Sequence, residues 1–116
     1  MTTTADCIFC NMAQDPMHSE PVYRDDRVFA IRDINPKAPV HMLIIPNMHI
    51  ASLAYVGPGQ EGIMGHMFVV AEEIARREGV TLSGYRLVLN QGDDSGQQIP
   101  HPHMHLLGGK KLGDMG

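Results

Sequence analysis

Tryptophan is absent from this chain of 116 residues, which has only three phenylalanines and three tyrosines. Its core must therefore be built from Ile, Leu, Val and nine methionines, which fill gaps well but specify packing loosely. Cysteine is scarce, with two residues, too few for a disulfide-stapled scaffold. No apolar run approaches ~18 residues, which excludes a transmembrane helix. Lys and Arg number nine against 13 acidic residues, and they form no stripe, so no nucleic-acid surface is expected. The N-terminus lacks a basic region and an apolar signal core. The chain thus reads as cytoplasmic, with reduced thiols and no membrane partner.

The apolar fraction of 43% fits a globular protein. The length suits one domain over residues 1–116, with residues 1–5 disordered and 110–116 a tail. Asp6 is placed to cap a short helix whose apolar stripe is Ile8, Phe9, Met12 and Ala13, ended by Asp15-Pro16. Val22–Arg24 and Val28–Ile31 flank Asp25-Asp26-Arg27 as a hairpin. Val40–Ile45 is a strand stopped by Pro46, and Gln60–Glu78 a long helix ended by Gly79. Met64, Phe68 and Val69 widen the apolar stripe of that helix. Tyr85–Asn90 and His101–Leu107 are further strands, separated by a polar loop over residues 91–98. The pattern predicts an α+β fold with a mostly antiparallel sheet.

His101, His103 and His105 alternate along the last predicted strand and so share one face, roughly 7 Å apart in succession. Met104 and Leu106 face the core. Three imidazoles on one face suit nucleophilic attack on phosphorus assisted by hydrogen-bond donors. They suit zinc equally well, and spacing alone leaves the two open. Cys7-Ile8-Phe9-Cys10 is a C-x-x-C with no strand before it, which argues against a thioredoxin-like redox motif. His18 and His66 suggest no role and read as solvent-facing.

The segment His101-Pro102-His103-Met104-His105-Leu106-Leu107 resembles the signature of the histidine triad family. Residues 33–41, 44–46, 84–90 and 106–109 resemble the Hint branch of that family, and the likeness runs over about residues 6–112. It implies a fold of about five antiparallel strands and two helices. It also implies a homodimer in which the long helix and the Tyr85–Asn90 strand join two sheets into one. The implied activity is hydrolysis of purine nucleoside phosphoramidates, releasing AMP or GMP, with no cofactor needed for catalysis.

On this resemblance His103 is the nucleophile and forms a nucleotidyl-histidine. His105 contacts phosphate oxygens and helps deliver a proton to the leaving amine. His101 orients His103 through its backbone carbonyl, and His41 supports the relay. Asp33 holds the ribose hydroxyls, and Asn90 contacts sugar or phosphate. Ile8, Phe9, Met12 and Ile34 form the purine slot. Gln98 stands where many members carry a phosphate-contacting Ser. Pro102 replaces a usual Val or Ile, and the tail lacks the Trp of animal members. Some bacterial members bind a structural zinc, and the matching positions are Cys7, Cys10, His49 and His101. Two other readings stand beside this one: a purine-nucleotide-binding adaptor with incidental turnover, and a zinc hydrolase that uses the three triad histidines as ligands.

Overall fold

The computed structural model describes residues 7–14, 21–50, 53, 56–97, 99 and 101–115. The expected disorder of residues 1–5, the Asp6 cap, the Asp15-Pro16 stop and His18 lie outside these. Helix α1 spans Ile8–Gln14, and strands β1 and β2 span Tyr23–Arg24 and Val28–Arg32. Strand β3 spans Val40–Pro46, helix α2 Glu61–Arg77, strand β4 Tyr85–Leu89 and strand β5 Met104–Gly108. The five strands form one antiparallel sheet in the order β1-β2-β3-β5-β4. No helix of the described residues is long and apolar enough to cross a membrane.

Local chemistry accounts for the elements. Asp25 makes the hairpin turn, because its carboxylate accepts the N–H groups of Arg27 and Val28, both at 2.8 Å. The same carboxylate takes the Tyr23 hydroxyl and His66 Nε2–H, each at 2.6 Å. His66 is therefore not a free surface residue: it pins α2 to the hairpin, and its Nδ1 accepts from Arg27 at 3.2 Å. Burial raises the Asp25 pKa, but the bonds from Tyr23, His66 and the two backbone amides outweigh it and hold the carboxyl well below the usual range. Helix α2 ends where Gly79 turns to φ +74°, with Val80 N–H returning to the Ala75 carbonyl at 3.0 Å.

Strand alternation splits the core in two. Val28, Ala30, Met42, Ile44, Met104 and Leu106 pack under α2 against Met67, Val70, Ala71 and Ile74. Phe29, Leu43 and Ile45 face the other way and meet Cys7, Phe9 and Cys10 of the α1 segment. The inward side of α1 thus differs from the expected stripe, since Ile8 is 50% exposed and the cysteines are buried. Arg24 ties this helix down by donating to the carbonyls of Met12 and Ala13 at 3.0 and 3.1 Å. The widened stripe of α2 is also only partly covered: Met64 packs on the core, whereas Phe68 and Val69 face outward.

The last strand starts three residues later than predicted. β5 is central, paired to β3 on one side and β4 on the other, so each residue needs its N–H or carbonyl in a ladder. Pro102 has no N–H, and the His101 N–H turns back to the Ile99 carbonyl at 2.8 Å. Pairing therefore begins at Met104, opposite Ile44 and Leu89. At the other end Gly109 has φ +89°, and a Cβ there would lie 3.0 Å from Pro39 Cβ. The loop that delivers β3 thus closes against Gly109. Gly109→Ala is expected to lower unfolding free energy by about 1–3 kcal/mol in urea denaturation. Gly113→Ala, with open space around it, should change stability by less than about 0.5 kcal/mol.

Candidate active site

Backbone groups set the protonation pattern of the histidine cluster. His103 Nδ1 lies 2.8 Å from the His101 carbonyl oxygen. A carbonyl only accepts, so Nδ1 carries the proton and Nε2 keeps a lone pair. His41 Nδ1 accepts the Lys37 backbone N–H at 3.0 Å. An amide only donates, so His41 carries its proton on Nε2, 2.9 Å from His105 Nδ1 and 3.4 Å from Asp33 Oδ2. His105 Nδ1 must then be bare, which leaves Nε2–H as the donor of the His105 ring. The His103 and His105 ring centroids are 5.0 Å apart. One ring thus offers a lone pair beside another that offers a proton.

Strand register brings the other walls together. His105 pairs with Leu43 on β3 and Val88 on β4, and Leu107 pairs with His41. These residues line a cavity of about 510 Å³ with His103, Asp33, Asn90 and Phe9. Asp33 Oδ1 accepts the Asn35 N–H at 2.8 Å, which shapes the loop that leads into His41. Of the four residues expected to form an apolar slot, only Phe9 lines the cavity; Met12 packs behind it on the α1 cluster. Ile8 and Ile34 are 50% and 93% exposed and line no part of it: Phe9 and Cys10 take the inward side of α1, and Ile34 sits on the loop after β2. Gln98 lies outside the described residues. Asn35, Lys37 and Ile99 line the cavity without having been singled out in the sequence. Asn35 and Lys37 share a short loop with Asp33, and their i+2 and i+4 spacing from it was the available signal.

The three alternating histidines do not all converge. His101 is completely buried, and its ring leaves the cavity for a second cluster. Its Nε2–H donates to the Pro46 carbonyl at 2.9 Å, so Nδ1 is the bare nitrogen. That nitrogen lies 3.2 Å from Cys7 Sγ and 3.6 Å from Cys10 Sγ, while Cys10 Sγ lies 3.1 Å from His49 Nδ1. The four donor atoms all lie within 4.8 Å of one another. Ligand bonds of ~2.0–2.3 Å around tetrahedral zinc would place neighbouring donors roughly 3.3–3.8 Å apart, close to this spacing. The His101 bond to Pro46 is the outer hydrogen bond that a metal-ligating imidazole usually makes. Cys7, Cys10, His49 and His101 therefore fit a metal ion. Burial, with the neighbouring Cys7 thiol, pushes the Cys10 thiol up to about 12, so a metal would have to displace its proton. Asp33, His41 and His105 form a second possible ligand group. Among the described residues His103 belongs to neither group, so the zinc site expected from three triad ligands is not assembled.

Comparison with known proteins places this arrangement. The HIT domain family model matches residues 15–112. The chain belongs to the histidine triad family. It is 46% identical over 108 residues to the purine nucleoside phosphoramidase of Escherichia coli K12, covering 93% of this chain and 91% of that one. A histidine triad protein of Clostridium difficile superimposes with a TM-score of 0.90 at 41% identity, covering 100% of both chains. A zinc-bound family member from Mycobacterium smegmatis superimposes with a TM-score of 0.75 at 25% identity, covering 97% of this chain and 81% of that one. Cys7 and Cys10 lie outside the stretch that the family model matches.

Burial also sets the charge state of this histidine triad site. It lowers the His105 pKa to about 4, helped by repulsion from His103 and His41 and opposed by Asp33. His41 is lowered for the same leading reason. His105 is thus neutral at pH 7 and presents its donor without a charge. The unfolded chain binds a proton near 6.5, so between 6.5 and 4 the unfolded state takes up more protons than the folded one. The stability tied to neutral His105 is complete above pH 6.5 and drains away as pH falls towards 4. Urea denaturation at pH 7 and pH 5 should show a loss of about 1–2 kcal/mol from this group. The loss should shrink in His105→Asn, which does not titrate.

Proposed function

We propose that this protein hydrolyses the phosphorus–nitrogen bond of purine nucleoside phosphoramidates through a covalent adduct on His103. The observation that carries the reading is the His103 Nδ1 bond to the His101 carbonyl, which leaves Nε2 as a lone-pair nucleophile in a ring that lines the cavity. The likeness to a purine nucleoside phosphoramidase supports the substrate class.

In the first half-reaction His103 Nε2 attacks the α-phosphorus, and the bond to the leaving amine breaks. His105 Nε2–H is the donor at the phosphate oxygens and the departing nitrogen; as the ring passes its proton to the amine, a water molecule refills Nε2, so the ring stays neutral. The hydroxide so formed attacks the phosphorus of the nucleotidyl-histidine, and the bond to His103 Nε2 breaks. Nucleoside monophosphate leaves, and His103 regains its lone pair. His101 aligns His103 through its carbonyl, and His41 keeps His105 in the donor tautomer. Asp33 accepts the ribose hydroxyls, a role open to a carboxylate that lines the cavity. Asn90 contacts the sugar or phosphate. Phe9 offers the purine a wall, and the exposed Ile34 beside Asp33 is free to meet the base. AMP and GMP derivatives both fit such a slot, because it supplies little that tells the purines apart.

A zinc ion on Cys7, Cys10, His49 and His101 would tie α1 to the sheet without taking part in bond breaking. The protein acts in the cytoplasm as a homodimer joined through α2 and β4. The outward Phe68 and Val69 on α2 support that assembly, as does the position of β4 at the sheet edge.

Turnover of an AMP-amine substrate tests the proposal. His103→Ala should reduce it by about a thousand-fold or more. Asp33→Ala should raise KM by about ten-fold, the equivalent of one lost pair of hydrogen bonds. Quenched reactions should yield an AMP adduct on the 101–105 peptide by mass spectrometry. Full turnover by His103→Ala, with no adduct in the parent protein, would refute the mechanism and favour a nucleotide-binding adaptor.

A further inference from the structure

The cysteine cluster and the nucleophile share one residue. His101 has no exposed surface, and four of its polar groups are engaged. Its N–H bonds Ile99, its Nε2–H bonds Pro46, its Nδ1 faces both sulfurs, and its carbonyl oxygen receives His103 Nδ1–H. Pro102 follows it and locks φ, so the carbonyl and the next residue move as a stiff unit. Phe9 stands between the two cysteines in the chain. Its ring meets the His101 ring edge-on at 5.7 Å and the His103 ring at 5.1 Å. A rotation of His101 therefore moves the acceptor that holds the nucleophile, and Phe9 carries any shift of α1 to the same ring.

We propose that Cys7, Cys10 and His49 are positioning residues of the reaction, gripping His101 so that its carbonyl holds His103 in the attacking orientation. The inference rests on the reading of His103 as nucleophile and on the fit of the cluster to zinc. Thiol contacts to Nδ1 at 3.2 and 3.6 Å are weak restraints. A shared metal ion replaces them with bonds of ~2.0–2.3 Å, and so stiffens the link. Of the residues in this link, Cys7, Phe9 and Cys10 fall outside residues 15–112, whereas His49, His101 and His103 fall inside.

The test compares wild type as purified, chelator-stripped wild type, the same protein reloaded with zinc, Cys10→Ser and His49→Asn. Circular dichroism verifies folding, and elemental analysis gives zinc per chain. Two readouts follow: single-turnover formation of the His103 adduct, and solvent exchange of the His103 Nδ1–H proton by nitrogen-15 NMR in the absence of substrate. Stripping and both substitutions should slow adduct formation by about ten-fold or more, with KM within about two-fold. They should also speed exchange of the Nδ1–H proton, and zinc should restore both in the stripped protein. Folded variants that form the adduct at the wild-type rate, with unchanged Nδ1–H exchange, overturn the proposal. His103→Ala checks the nucleophile separately. A wild type without zinc whose Cys10→Ser still shows faster Nδ1–H exchange supports positioning by the thiols and refutes only the zinc reading.

Discussion

The hydrogen bond from His103 Nδ1–H to the His101 carbonyl settles more of this site than any other contact. An imidazole in water exchanges freely between tautomers, and either nitrogen can be the bare one. A carbonyl oxygen can only accept, so at 2.8 Å it fixes the proton on Nδ1 and leaves Nε2 nucleophilic. The same logic, run from a backbone donor, fixes His41 and through it His105. Main-chain groups thus assign opposite tasks to two chemically identical rings whose centroids are 5.0 Å apart.

That hydrogen bond requires His101 to stand outside the ladder. If β5 had begun at His101, its carbonyl would have been committed to a neighbouring strand. Pro102 interrupts the pairing, and the freed carbonyl becomes the acceptor for the residue two places on. The side chain of His101 is then available to the opposite task of closing the cysteine cluster. Its zero exposure lowers its pKa to about 4, with His49 and His103 adding to the effect and the Pro46 bond opposing it, so the ring stays neutral and able to ligate. A departure from regular strand geometry thus joins the two clusters.

Much of this was legible in the chain. The hairpin around Asp25 was readable because a carboxylate before two amides makes a turn locally. The long helix was readable because seventeen residues repeat an apolar period, and the observed span Glu61–Arg77 lies within one residue of the expected one at each end. Met104 and Leu106 were readable as core from alternation alone. The α1 stripe was not: in a helix of seven residues Ile8 and Cys10 compete for the inward side, and the position of Phe29, Leu43 and Ile45 beneath it decides. His66 was missed because its partner, Asp25, is 41 residues away.

The amino-acid sequence by itself determined which chemistry was available: alternating imidazoles, a C-x-x-C, a carboxylate in a proline-held loop, and strand and helix periods that build an α+β sheet. Those are local properties, set by residue type and short spacing. Only the tertiary structure decided how the histidines divide. His103 and His105 face a cavity walled by β3 and β4, whereas His101 turns to sulfurs more than 90 residues away in the chain. Spacing along a strand specifies a face, but the identity of what covers that face depends on contacts between distant segments. Here those contacts came from the α1 segment, and they turned one of three alternating histidines to a metal-fitting cluster while the other two line the cavity.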